Sequence, residues 1–121
     1  MSVGDGNASR LLEQSWHREM LNIFETTRSI GYDAHRFIQM VGERGALATG
    51  HHLIDDYDDF KTSDGFRRLW ELRRLDLAVE ARALKSEFRS LFTPAQLATC
   101  RRRLELYGWR RQPPWQPPPS A

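Results

Sequence analysis

Apolar side chains recur every three or four positions along most of this chain, the spacing that puts them on one face of an α-helix. Leu12, Trp16, Met20, Ile23, Phe24 and Thr27 form one such stripe, with Arg10, Glu13, Arg18, Glu25 and Arg28 elsewhere on the wheel. They predict a first helix from near Ser9 to about Ser29, stopped by Gly31. A second helix is expected after Asp33 as cap, carrying Ala34, Phe37, Ile38, Met40 and Val41 and ending at Gly45. Residues Ala46 to Ile54 suit a weaker third helix, since Gly50 costs about 1 kcal/mol relative to alanine in a helix interior.

The acidic run 55–60, DDYDDF, reads as a loop. Ser63 or Asp64 can cap a fourth helix holding Phe66, Leu69 and Trp70, with a break between Leu72 and Leu75. The stretch DLAVEARAL then predicts a fifth helix capped by Asp76. The clearest start is Thr93-Pro94-Ala95-Gln96: a capping threonine, a proline where its missing N–H is not needed, and a glutamine able to close a capping box. That helix is expected to run to Tyr107, with Leu97, Cys100, Leu104 and Tyr107 inward and Gly108 as its stop. No run alternates with a period of two and no internal repeat is visible. The expected fold class is therefore all-α, a compact bundle of five to six short helices.

Domain organisation follows from the same pattern: a flexible N-terminus over residues 1–8, one helical domain over 9–109, and an extended proline-rich tail over 110–121. Five of the six prolines fall in that tail, which can neither continue a helix nor enter a sheet. With 121 residues the chain is sized for one ordinary domain. It has no apolar run near the ~20 residues needed to cross a bilayer and no basic-then-apolar leader, so a cytoplasmic protein without membrane association is expected. The single cysteine, Cys100, fits a reducing compartment.

The pieces WHREMLNIFETTRSIGYDAHRFIQMVGERG, DGFRRLWELRRLDLAVEARAL, LFTPAQL and RRRLELYGW, in this order, resemble a small uncharacterised bacterial all-helical domain family. Members occur as short stand-alone proteins and as a C-terminal appendage on larger ones. The resemblance spans about residues 15–109 and is carried most specifically by Gly31-Tyr32 with Arg36-Phe37 and Met40, by Leu75-Asp76-Leu77 with Glu80, and by Leu91-Phe92-Thr93. It implies a helical domain and a bacterial source, and it assigns no catalytic residue. The chain departs from the family pattern at Ala48 to His52 and in its proline-rich tail.

Charge changes this picture when it is divided along the chain. Residues 1–60 carry five arginines against ten carboxylates, net −5, whereas residues 61–121 carry thirteen basic side chains against six acids, net +7. Sixteen of the eighteen basic residues are arginine, whose planar fork pairs bidentately with carboxylate or phosphate. A chain so divided is suited to engaging protein partners electrostatically, a second copy of itself included.

The candidate chemistry is thin. His51 and His52 precede Asp55, Asp56, Asp58 and Asp59, and on a helix each histidine has an aspartate one turn on, as paired metal ligands require. A His-Glu-x-x-His element and the glycine and terminal glutamate of a calcium loop are both missing, so a solvated acidic loop is the plainer reading. Cys100 lies in register with Leu97 and Leu104, which favours a small core residue over a nucleophile. Asp76 and Glu80 are expected to cap a helix and to meet Arg73, Arg74 or an arginine on another helix, Arg36 among them. No phosphate loop, serine triad, zinc cysteine pair or cofactor motif is present, and no catalytic residue, metal ligand or cofactor is assigned.

What remains is binding. Arg101, Arg102 and Arg103 followed by Tyr107, Trp109, Arg110 and Arg111 mix cations with rings as nucleic-acid surfaces do. The outline of helix, glycine turn and helix over 36–54 resembles a DNA-reading motif, but its second helix lacks arginine and lysine. Arg111 with Pro114 and Pro117 has the spacing of a cation followed by PxxP, and Trp115 adds an aromatic anchor. The expected function is a non-catalytic adaptor or assembly module that binds protein partners through charged surfaces. The alternative is a nucleic-acid-binding accessory domain using the arginine-rich helix, and a metal-dependent enzyme comes third.

Overall fold

Among the described residues, three of the six helices end in the same way. Each closes with a residue at positive φ and a pair of backbone bonds that satisfy carbonyls left over from the last turn, the Schellman arrangement. At the end of α1 (Val3–Ser29) the turning residue is Gly31, φ 90°, with Tyr32 N–H on Thr27 O at 2.9 Å. At the end of α6 (Pro94–Leu106) it is Gly108, φ 85°, with Trp109 N–H on Leu104 O at 3.0 Å. At the end of α4 (Asp64–Glu71) it is Arg73, φ 59°, with Arg74 N–H on Leu69 O at 2.8 Å. An arginine there pays the steric cost that glycine avoids, about 1–2 kcal/mol.

The remaining elements are α2 (His35–Arg44), α3 (Ala46–Asp55), α5 (Val79–Ala83) and two single 3-10 turns, Leu75–Leu77 and Arg89–Leu91. Among the described residues every regular element is helical, so the protein is all-α. The computed structural model describes residues 3–59 and 61–109, with side chains from residue 8 onward. The expectations for the tail, including Arg110, Arg111, Trp115 and the PxxP spacing, lie outside the described residues.

The chain divides into two compact units, Met1–Thr49 and Gly50–Ala121. In the first, α2 packs on α1. The buried stripe of α1 is Trp16, Met20, Ile23 and Thr27, at spacings of four, three and four. The Trp16 indole donates to Ala46 O at 3.0 Å, which satisfies its one polar atom inside the core. Helix α1 begins at Val3, ahead of the expected start near Ser9, because extending a helix already nucleated costs far less than starting one. Helix α2 takes Ala34 as its N-cap with no side-chain bond, so Asp33 is not the cap its position suggested. Gly45, φ 90°, separates α2 from α3.

In the second unit α5 packs on α6, and the 3-10 turn at Leu75–Leu77 packs on both α4 and α5. The core comprises Ile54, Phe66, Leu69, Leu77, Ala81, Leu84, Phe88, Cys100 and Leu104, among others. Ser63 caps α4 by accepting from Phe66 N–H at 3.2 Å. Thr93 and Gln96 form the expected capping box on α6, at 3.1 and 2.9 Å, with Pro94 in the first turn. Asp76 does not cap α5, which begins at Val79 after an extended Ala78. Its carboxylate instead takes a bidentate pair from Arg74 at 3.0 and 3.1 Å, and a guanidinium fork holds a buried carboxylate more strongly than a helix N-terminus does.

Candidate binding groove

The sequence marked the arginine triplet of α6 as a surface, and the structure divides it. Residues 101, 102 and 103 stand 100° apart on the wheel, so three in a row cannot share one exposed face when Cys100 and Leu104 are in the core. Arg101 and Arg102 are exposed, whereas Arg103 is 1% exposed. Arg103 is therefore not part of the exposed surface expected of the triplet.

All five N–H donors of that guanidinium are used inside the unit. Nη1 donates to Glu80 Oε2 at 2.7 Å and to Leu53 O at 3.0 Å. Nη2 donates to Ile54 O at 3.0 Å and Tyr57 O at 2.8 Å, and Nε makes a longer contact with Asp59 Oδ1 at 3.4 Å. Leu53 and Ile54 lie in the last turn of α3, whose carbonyls have no helical partner and carry the negative end of the helix dipole. Arg103 thus ties the end of α3, the acidic loop after it and α5 to α6. Glu80, the partner expected to find an arginine on another helix, finds this one. Burial raises the Glu80 pKa while Arg103 pulls it down.

Part of the acidic loop is spent in the same network. Arg102 bonds Asp59, and that bond is the main cause that holds the Asp59 carboxyl below its ordinary value. Asp55 accepts from Gln96 Nε2 at 3.0 Å, His52 Nδ1 meets Asp56, and His51 Nε2 bonds Leu91 O at 3.0 Å. These side chains diverge toward separate partners. Among the described residues no group of three or more His, Cys, Asp or Glu is placed to hold a metal ion. Cys100 is fully buried, and burial, with Glu80 next in order, pushes its thiol pKa well up, the opposite of what a nucleophile requires.

A concave feature among the described residues of this unit lies elsewhere, where the ends of α4 and α6 meet. A groove of about 470 Å³ is lined by Trp70, Glu71 and Arg73 from the end of α4 and the turn after it, by Leu75 from the following 3-10 turn, and by Tyr107, Gly108 and Trp109 from the end of α6. The two Schellman turns of the unit, at Arg73 and Gly108, both line it. Tyr107 stands between two rings, edge-on to Phe66 at 5.1 Å and to Trp70 at 5.4 Å, geometries that fix ring orientation. Trp70 stays 45% exposed, while Trp109 is 5% exposed and belongs to the wall. Trp109 is therefore not a free stacking platform, and Tyr107 is half-buried in this cluster.

Of the residues singled out from sequence, Tyr107 and Trp109 reach the groove, and Arg101 and Arg102 stay on the exposed side of α6. Trp70, Glu71 and Arg73 were not singled out as site residues. Trp70 follows directly after the buried Leu69 and so sits at the edge of the α4 stripe, where spacing does not separate core from rim. The left-handed Arg73 leaves no mark in the sequence, because residues that turn this way are usually glycine or asparagine.

Compared with known proteins, the chain matches no family model, no curated protein and no solved structure. Among the described residues no helix is long and apolar enough to cross a membrane.

Proposed function

We propose that this protein is a non-catalytic interaction module whose binding face is the groove between the ends of α4 and α6. The observation that carries this reading is the left-handed Arg73, a strained residue held in the wall of a concave, ring-lined surface. Backbone strain of this kind persists where surrounding structure enforces it, and it gathers at ligand clamps.

The groove's chemistry selects a partner class. Trp70, with the half-buried Tyr107 beside it, offers ring surface that suits proline and other flat apolar side chains. Two helix C-termini and Glu71 favour a cation at the ends of the groove, against the opposing charge of Arg73 in its lining. An extended peptide that combines prolines or an aromatic ring with a basic residue fits both features. Charge division along the chain remains relevant as steering, but with Arg103 and Asp59 spent internally it supplies less free surface than the sequence suggested.

Selection of a random peptide display library on the full chain tests this. Enriched peptides should carry proline or aromatic residues beside a basic one, and Trp70→Ala should weaken them at least tenfold. Enrichment of nothing, or of peptides indifferent to Trp70→Ala, overturns the reading.

A further inference from the structure

We infer that the groove between α4 and α6 is filled by the chain's own segment 110–121, so that the protein carries its ligand with it. This assignment rests on the groove being a peptide-binding face. Two observations support it.

The first is position. Trp109 is a wall of the groove, and Arg110 follows it directly, so the segment starts at the site rather than reaching it across a linker. Three residues, Arg110 to Gln112, span up to about 10 Å when extended, enough for the chain to turn back before its first proline. The second is composition. The sequence RRQPPWQPPPSA presents two arginines, then Pro113, Pro114, Trp115 and Pro117, which is the combination of cation, proline and ring that the site favours. Proline restricts φ in the unbound state of any ligand that contains it, which lowers the entropy lost on docking.

Tethering makes weak contacts sufficient. A ligand joined by a short connection meets its site at an effective concentration in the millimolar range, so a peptide whose free Kd is about 100 μM is held about ten to one in its own groove. An external partner of the same chemistry must then displace the segment, and its apparent affinity falls by the same factor.

Nuclear magnetic resonance on the full chain tests the assignment. The variant carries Pro113, Pro114, Pro117, Pro118 and Pro119 changed to serine, and Trp115→Ala serves as a second, single-site form. Both should shift the Trp70 indole and the Glu71, Arg73 and Tyr107 amides while leaving Thr93 and Cys100 unchanged. A synthetic peptide of residues 110–121 should bind the variants in the groove and bind the native chain about tenfold more weakly. Groove signals that stay in place in both variants overturn self-occupancy. So do signals that revert on dilution together with a doubled mass by light scattering, which would give the segment to a second copy.

The two readings fail separately. If display-selected peptides bind native chain and variants alike and require Trp70, the binding face stands and self-occupancy falls. If neither those peptides nor 110–121 binds any form, both fall.

Discussion

The Arg103 guanidinium and the Glu80 carboxylate meet at 2.7 Å with side chains 1% and 4% exposed, a charge pair between α6 and α5 from which water is excluded. Removing one member of such a pair is far costlier than the pair's net contribution, because the other is left charged and buried. Arg103→Met should therefore cost about 3–5 kcal/mol in urea unfolding, and Arg103→Lys should recover only part of it, since three donors replace five. Arg102→Ala, which opens an exposed pair with Asp59, should cost far less, because solvent screens that pair. Equal losses at the two neighbours would contradict the division of the triplet.

Glu80 also sets a pH dependence. Burial raises its pKa above the ordinary 4.5, with Arg103 opposing. Between 4.5 and the higher folded value the native state holds more of this proton than the unfolded chain, so stability falls as pH rises through that interval. Asp59 runs the other way, lowered from 3.8 mainly by its bond from Arg102: its contribution is complete above that value and lost as pH falls through the lower folded one. Unfolding of the native chain and Glu80→Gln from pH 4 to 8 should show the decline above about pH 4.5 only in the native chain. Parallel curves would contradict it.

Arg73 links stability to the groove. Arg73→Gly should relieve the left-handed strain and raise stability by about 1 kcal/mol, despite the added freedom of glycine in the unfolded chain. The same change should weaken peptides selected on the groove, because it removes a wall residue. A variant that is less stable, or that binds unchanged, would separate the strain from the site.

Thr93→Ala should remove one half of the α6 capping box and cost about 1 kcal/mol in thermal or urea unfolding, with Gln96→Ala costing a similar amount. A loss below a few tenths of a kcal/mol would show that the helix start is held by packing alone.

The helical class, the α1 stripe through Trp16, Met20, Ile23 and Thr27, the capping box at Thr93 and the turns at Gly31, Gly45 and Gly108 were all legible in the sequence. Each depends on spacing or on a residue type whose conformational preference is strong. What was hidden depends on choice among similar partners. Asp76 could have capped a helix or paired with Arg74, and three-dimensional proximity decided for Arg74. Gln96, Cys100, Arg103 and Tyr107 recur at intervals of four, three and four, so a core stripe containing Arg103 was present in the pattern. An arginine in it reads as exposed unless Glu80 and the loose carbonyls of α3 are known to be waiting. The groove was least visible, since it needs the ends of two helices that are distant in sequence and a turn at Arg73 that residue type does not announce.

The most direct measurement is the affinity of one display-selected peptide for two full-length variants by calorimetry. Recognition by the ring-lined groove predicts at least a tenfold loss with Trp70→Ala and less than a twofold change with Arg101 and Arg102 both changed to alanine. The reverse order, a large loss at the two arginines and none at Trp70, would place recognition on the exposed side of α6 and contradict the account.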